Sequence, residues 1–484
     1  MKKYVAAILG VGLLHRLLFL GSRQLWTDEL MQARIIKLAS PAEIVARLRG
    51  GMDLASPLDF FVQRGMTVLL GDSAWALRLH AVLFGTLSIW IFYRLARFLF
   101  GERVALFSTT LFTFFPLAYH YSQEARPYAL LLFLSLLSYD LLLRQLYSKD
   151  RPWQRWLLIA GVSALLLYTS FLGSLILFSQ LVGIVALAVW KPGLDVASDR
   201  EDAEGDKFER ARVLWPQVVI YLLTVLVALA LFYPWIRYAW ARPLLAPASE
   251  VANPKLILRL IKELGDNSYP IAGLILIGTI TGVRALLCHK RRNSSLWLLT
   301  WFLVPIPALL VVEIWAGYFF AIRHLLHATP PLLLITGYGL SYVGERLTIL
   351  PHLPYQLSSP AMVFAGLLIV GSIWIGQLHS HSEPADWLGT ASYLNGTVHE
   401  GDAVSVPRVY PLLEYYYPGL EQFRVGDLDP GPGSLAEPQV QRRIVVCYDR
   451  MWPDPCATFR ASALKDSAWS RHPASGFTVF LRAK

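Results

Sequence analysis

Long apolar stretches alternate with short clusters of Arg, Lys, Asp and Glu along most of this chain. Crossing about 30 Å of hydrocarbon takes roughly 20 predominantly apolar residues in a helix. On that measure the pattern predicts about eleven membrane helices, near 4–21, 75–99, 103–120, 127–144, 155–170, 172–190, 214–235, 269–287, 296–315, 325–343 and 360–378. The stretch 155–190 is one apolar run divided at Tyr168–Gly173, so the count turns on that break. Residues 22–74 form a long first outer loop. Within it, Leu30–Ala39 and Pro41–Arg49 carry apolar residues at helical spacing with bases between, the pattern of short helices lying on a membrane surface. A second outer segment, 236–268, holds a similar piece at Leu256–Leu264. From 379 onward the pattern changes to polar sequence with Pro and Gly turns and short runs such as Arg443–Tyr448 and Gly476–Leu481. That tail is expected to be a small soluble α/β domain of about 100 residues. The expected architecture is mostly α: a polytopic membrane domain over 1–378, followed by an extracytoplasmic α/β domain over 379–484.

Composition strengthens the membrane reading. Hydrophobic residues make up 55% of the chain and charged residues 16%, against about 25% charged in an ordinary globular protein. The net charge of +10 is not a nucleic-acid footprint, because the bases sit largely between apolar segments. With Lys2 and Lys3 inside, the inner loops hold Arg94, Arg97 and Arg103, then Arg144, Lys149, Arg151 and Arg155, and later Arg284, Lys290, Arg291 and Arg292. This bias places the N-terminus inside, and an odd helix count then places the tail outside. No small-x-small site precedes Ser22-Arg23-Gln24, so the first apolar segment reads as an uncleaved helix. Cys447 and Cys456 fall in the segment expected outside, where a disulfide can persist. The cysteines show no metal-ligand spacing.

Candidate chemistry is concentrated at the outer helix ends. Trp26-Thr27-Asp28-Glu29 follows the first helix. Adjacent carboxylates repel each other, and neighbours cannot share one face of a helix or strand. One is therefore expected to face a site and the other to hold the loop. Tyr121-Ser-Gln-Glu-Ala-Arg-Pro-Tyr128 opens the fourth helix. Pro127 and Glu124 suit a helix start, whereas Arg126 sits at the wrong end of the dipole and calls for a nearby anion. Arg78 and the pair Arg323-His324 also lie at outer ends, where each alone could simply reach lipid headgroups. His15 and Arg16 are expected to do the same from the first helix. Asp427-Leu428-Asp429, in a Pro/Gly-rich loop, reads as a turn.

These residues, in this order, resemble bacterial GT-C glycosyltransferases of the family 39 type, relatives of protein O-mannosyltransferases and of the aminoarabinose transferase that modifies lipid A. The resemblance rests on Asp28-Glu29, on Arg78-Leu-His-Ala-Val-Leu-Phe-Gly85, on 122–128, on Arg323 through Pro330-Pro331, and on Asp386-Trp387 with Gly401-Asp402 in the tail. One stretch departs: relatives often carry His-Pro-Pro-Leu-Tyr-Tyr where this chain reads Ala55-Ser-Pro-Leu-Asp-Phe60. The resemblance implies a membrane glycosyltransferase that moves a sugar from a polyprenyl-phosphate-linked donor to a glycan, lipid or protein acceptor on the extracytoplasmic side. Asp28 would be the general base, Glu29 its partner, and Arg126, Arg323 and Arg78 the phosphate-binding set, with Glu124, Tyr128 and His324 in support. No cofactor is required by that scheme; a divalent cation is compatible with it but not indicated. The rival reading is a transporter or flippase of lipid-linked sugars, which should show charges at helix midpoints and matched, broken helices in two halves.

Overall fold

The computed structural model describes residues 2–53, 55–147, 152–190, 215–239, 262–265, 269–289, 291–316, 321–344, 386–406, 410–423, 441–448, 456–474 and 477–483. They form two compact units, Met1–Leu20 with Ala39–Gln377 and Gly21–Leu38 with Leu378–Lys484. The first outer loop is therefore divided, its initial part grouping with the tail and the remainder with the membrane helices.

The chain begins with α1 (Lys2–Leu17), α2 (Thr27–Ile36), α3 (Pro41–Arg49) and α4 (Leu58–Leu70). The helices α5 (Ala74–Phe100), α6 (Glu102–Thr113), α7 (Pro116–His120), α8 (Tyr128–Tyr147), α9 (Gln154–Thr169) and α10 (Gly173–Trp190) follow. Next come α11 (Trp215–Ala239), α12 (Tyr269–Cys288), α13 (Arg292–Leu303), α14 (Pro305–Ala316) and α15 (Thr329–Gly344). Among the described residues, six spans are long and apolar enough to cross a membrane, so the chain is a multi-pass membrane protein. Those six, among the described residues, stand beside the eleven expected along the whole chain. The segment expected at 103–120 is interrupted at Phe114–Phe115, with Pro116 opening a separate short helix. The segment expected at 325–343 starts as a 3-10 turn, Ile322–Ala328. The candidate at 360–378, the turn at 427–429 and most of Leu256–Leu264 lie outside the described residues.

Helix α4 was not expected inside the outer loop. It buries Asp59, Phe60, Gln63 and Thr67 on one side and packs against α5. Deeper in the bundle, interhelical hydrogen bonds replace the hydrophobic drive that lipid cannot supply. The Tyr139 ring stacks on Trp301 at 3.8 Å, and the Tyr139 hydroxyl meets Ser179 Oγ at 2.8 Å. Tyr221 donates to Gln180 at 2.8 Å, and Gln180 also bonds Ser138. Gly282 on α12 and Gly339 on α15 face backbone of the opposite helix, where any side chain would clash. Toward the other helix ends, buried Asp140 pairs with Arg94 and Arg144, each at 2.9 Å.

The second unit holds α16 (Trp387–Thr397), β1 (Asp402–Ser405), α17 (Tyr410–Tyr416), β2 (Arg442–Tyr448), α18 (Ala457–Ala463), β3 (Ser470–Ala474) and β4 (Phe477–Ala483). The sheet order is β1-β2-β4-β3, with β1 and β2 parallel and the other pairs antiparallel. Cys447 on β2 and Cys456 before α18 form a disulfide, packed with Val445, Phe480, Phe459 and Trp469. Thiol labelling of the unreduced, denatured protein should therefore modify Cys288 alone. Replacing both bridged cysteines by Ser should destabilise this unit by about 2–3 kcal/mol. Labelling of three thiols would remove the bridge.

Candidate active site

The acidic pair begins α2. Glu29 is buried, and its Oε2 accepts the Trp26 N–H at 3.3 Å, so this carboxylate secures the backbone at the helix start. Asp28 is half-buried. A helix N-terminus favours both charges, which offsets part of their mutual repulsion.

The other candidates lie in the first unit, around the turn between α7 and α8. This turn is held from three sides. Gln123 Nε2 donates to the Arg16 and Leu18 carbonyls at 2.9 and 2.7 Å. Arg16 donates through Nε to Ser122 Oγ at 3.2 Å and through Nη1 to the Thr113 carbonyl at 3.2 Å. Arg16 is completely buried, so the expectation that it reaches lipid headgroups is overturned: a hydroxyl takes its Nε and two carbonyls its Nη1 inside the protein. His15 is buried beside it and stacks on Tyr119 at 4.0 Å. From α4, Gln63 Nε2 donates to the Ala125 carbonyl at 3.3 Å and to Leu77 at 3.2 Å.

On this fixed turn, Arg126 Nη1 approaches Asp53 Oδ2 at 3.4 Å, each side chain 12% exposed. Asp53 is one anion that the misplaced cation requires, and its other oxygen accepts the Ala55 N–H at 2.8 Å. Glu124 is buried and meets His120 Nε2 at 2.9 Å, one helical turn back. Tyr128 is buried, edge-on to Tyr121 at 5.1 Å. The 3-10 turn Ile322–Ala328 packs against α8, pinned by Trp301 Nε1 donating to the His327 carbonyl at 3.0 Å. It brings buried His324 within electrostatic reach of both Arg323 and Arg126. Burial first, and then the neighbouring Arg323, His327 and Arg126, pull His324 down to about 3, so it is neutral at ordinary pH. Neutral His324 adds no charge of its own, which leaves Arg126, already facing Asp53, and Arg323 to meet an anion. Arg78 is buried and donates to the Leu20 carbonyl at 2.9 Å, a contact that holds the end of α1.

Sequence reasoning missed Asp53, Gln63, His120 and the buried pair Asp59–His80, whose Oδ1 and Nε2 lie 3.2 Å apart. Asp59 occupies the stretch Ala55–Phe60 that departs from relatives, and His80 lies in the matched Arg78–Gly85 stretch. A carboxylate in an apolar helix facing a His in the next is the signal that could have paired them. Among the described residues, no three or more His, Cys, Asp or Glu converge to hold a metal ion.

Residues 55–194 match the sequence model of the family described as dolichyl-phosphate-mannose-protein mannosyltransferase. Comparison with curated proteins returns no match. Among solved structures, ArnT from Cupriavidus metallidurans bound to undecaprenyl phosphate matches with a TM-score of 0.59 at 14% identity, over 99% of this chain and 98% of that one. The oligosaccharyltransferase AglB from Archaeoglobus fulgidus, in complex with an inhibitory peptide and a dolichol-phosphate, matches with a TM-score of 0.57 at 10% identity, over 98% of this chain and 74% of that one. At these identities the likeness is one of fold. The resemblance read from the sequence holds: this is a GT-C fold related to that of ArnT, with a mannosyltransferase-family match over 55–194.

Proposed function

We propose that this chain, a relative of ArnT and the O-mannosyltransferases by fold and family match, is a glycosyltransferase that uses a polyprenyl-phosphate-linked sugar donor. The observation that carries the reading is the convergence of Arg126 with Arg323-His324 at the start of α8, in a fold shared with an undecaprenyl-phosphate-bound protein.

A donor with a lipid tail stays in the bilayer, so its phosphate presents at a membrane surface. The acceptor hydroxyl attacks the anomeric carbon, and Asp28 takes the hydroxyl proton. General-base assistance of this kind is worth about 10²–10⁴ in rate. The bond from the anomeric carbon to the phosphate oxygen breaks, and its electron pair leaves with the polyprenyl phosphate. One displacement inverts the anomeric centre. Arg126 and Arg323 stabilise the charge gathering on the phosphate, worth most where water is excluded. Arg78 supports this set by holding the end of α1. Glu124, Tyr128 and neutral His324 line the turn that carries Arg126. The scheme routes no step through a metal. Comparing glycolipids and glycans of a deletion strain with those of its parent by mass spectrometry tests the reading and identifies the acceptor. A product missing in the deletion and restored by the wild-type chain supports it; unchanged profiles count against it.

The reaction belongs on the extracytoplasmic side, with the N-terminus in the cytoplasm of the bacterial inner membrane and the tail outside. The Cys447–Cys456 disulfide supports that side, because such bonds persist in oxidising compartments. A reporter active only outside, fused after Lys484, should be active, and one fused within 191–212 should not. The opposite pattern would reverse the topology and move the chemistry to the wrong face.

A further inference from the structure

The tail domain needs a reason to accompany the membrane helices, and its contacts with α2 supply one. Helix α2 has ten residues, too few to be stable alone in water. Leu30, Ala33, Ile35 and Ile36 are nonetheless buried, and α2 packs against α17 of the tail. The chain entering α2 is held at two successive residues: Gln24 Oε1 accepts the Leu388 N–H at 3.0 Å, and Leu25 donates its N–H to the Tyr416 hydroxyl at 3.1 Å. Beyond its far end, Lys37 lies over the Tyr415 ring at 4.7 Å. The helix that begins with Asp28 is thus fastened at both ends, and each fastening comes from the C-terminal domain.

We infer that the C-terminal domain is the platform that positions Asp28, with Tyr416 and Gln24 as positioning residues for the base. This rests on the function proposed above. Proton transfer demands hydrogen-bond reach between base and hydroxyl, and displacement by about 1 Å can cost 10²-fold in rate. A carboxylate on a short helix tolerates no such drift unless the backbone leading into the helix is fixed. The Leu25 and Gln24 bonds lie three and four residues before Asp28 and fix that backbone. Because Arg126 and Arg323 belong to the other unit, loosening α2 should spare phosphate binding.

The test uses the purified full-length protein with Tyr416→Phe, Gln24→Ala and their combination. Tyr416→Phe removes the hydroxyl acceptor and keeps the ring, so it is the mild variant should the double one fold poorly. Hydrogen exchange should quicken at the amides of residues 25–36 and stay unchanged in α5 and α8. Release of polyprenyl phosphate from lipid-linked sugars should fall by about tenfold in each single variant. Binding of undecaprenyl phosphate should match the wild type. Unchanged exchange at 25–36, or full transfer despite quicker exchange, would overturn the inference. So would an equal loss of undecaprenyl phosphate binding, which would mean that the tail supports the fold as a whole. A wild-type protein that releases no polyprenyl phosphate would count against the proposed function instead, and the exchange measurement would still decide whether the tail holds α2.

Discussion

Asp28→Asn is expected to lower sugar transfer by about 10²-fold or more, with the melting temperature unchanged or slightly raised. The substitution is nearly isosteric and leaves a hydrogen-bonding group, yet it removes the basic oxygen that accepts the hydroxyl proton. It also relieves repulsion with the neighbouring carboxylate at the start of α2. Glu29→Gln is the informative comparison. Glu29 is buried and holds the Trp26 N–H, and the amide oxygen of Gln can still accept that bond. Its loss of transfer should therefore be smaller. Transfer and a melting curve, measured for both variants, decide the assignment. Near wild-type transfer by Asp28→Asn would remove Asp28 as base, and a severe loss confined to Glu29→Gln would give the role to Glu29.

The second large effect is expected at Arg126. Arg126→Ala should weaken undecaprenyl phosphate binding by about 30-fold or more, the loss typical of truncating one side of a buried charge pair. Arg126→Lys keeps the charge but not the planar fork and should fall between. The structure adds a complication. Asp53 faces Arg126 at 3.4 Å, so the alanine variant also takes a guanidinium partner from a mostly buried carboxylate and should melt lower. Asp53→Asn in the Arg126→Ala background removes that carboxylate charge. It should restore most of the melting temperature and none of the binding. If the double variant regains binding as well, Arg126 serves the fold and not the phosphate.

The contrast between these residues shows what one sequence can carry. Asp28-Glu29 and the 121–128 stretch were legible because a local oddity, paired acids or a base at a helix start, stands out without knowing the fold. The tail's strands at Arg442–Tyr448 and Phe477–Ala483 were legible from short, partly alternating apolar runs bounded by turns. Asp53, Gln63 and His120 were not, because an ordinary loop acid, helix amide or histidine gains meaning only from partners distant in space. Arg16 was misread for the same reason. Its position near a helix end fits headgroup contact, and only the packing of α1 against α5, α6 and the 121–123 turn supplies the carbonyls and hydroxyl that bury it. Helix α4 escaped notice because Asp59, Gln63 and Arg64 interrupt its apolar residues, and two of those polar groups turn out to face inward. The grouping of Gly21–Leu38 with the tail joins segments more than 300 residues apart, which no local pattern reveals.

The central claim, sugar transfer from a polyprenyl-phosphate carrier, is tested most directly by following the carrier itself. Purified full-length protein would be reconstituted with a bacterial lipid extract containing polyprenyl-phosphate sugars and a membrane-glycan fraction as acceptor. Mass spectrometry then follows the sugar-bearing lipid and free polyprenyl phosphate over time. The account predicts that wild-type protein converts one sugar-bearing species into polyprenyl phosphate, mole for mole, while Asp28→Asn leaves it intact. A lipid pool unchanged by wild-type protein, or consumed equally by Asp28→Asn, would contradict it.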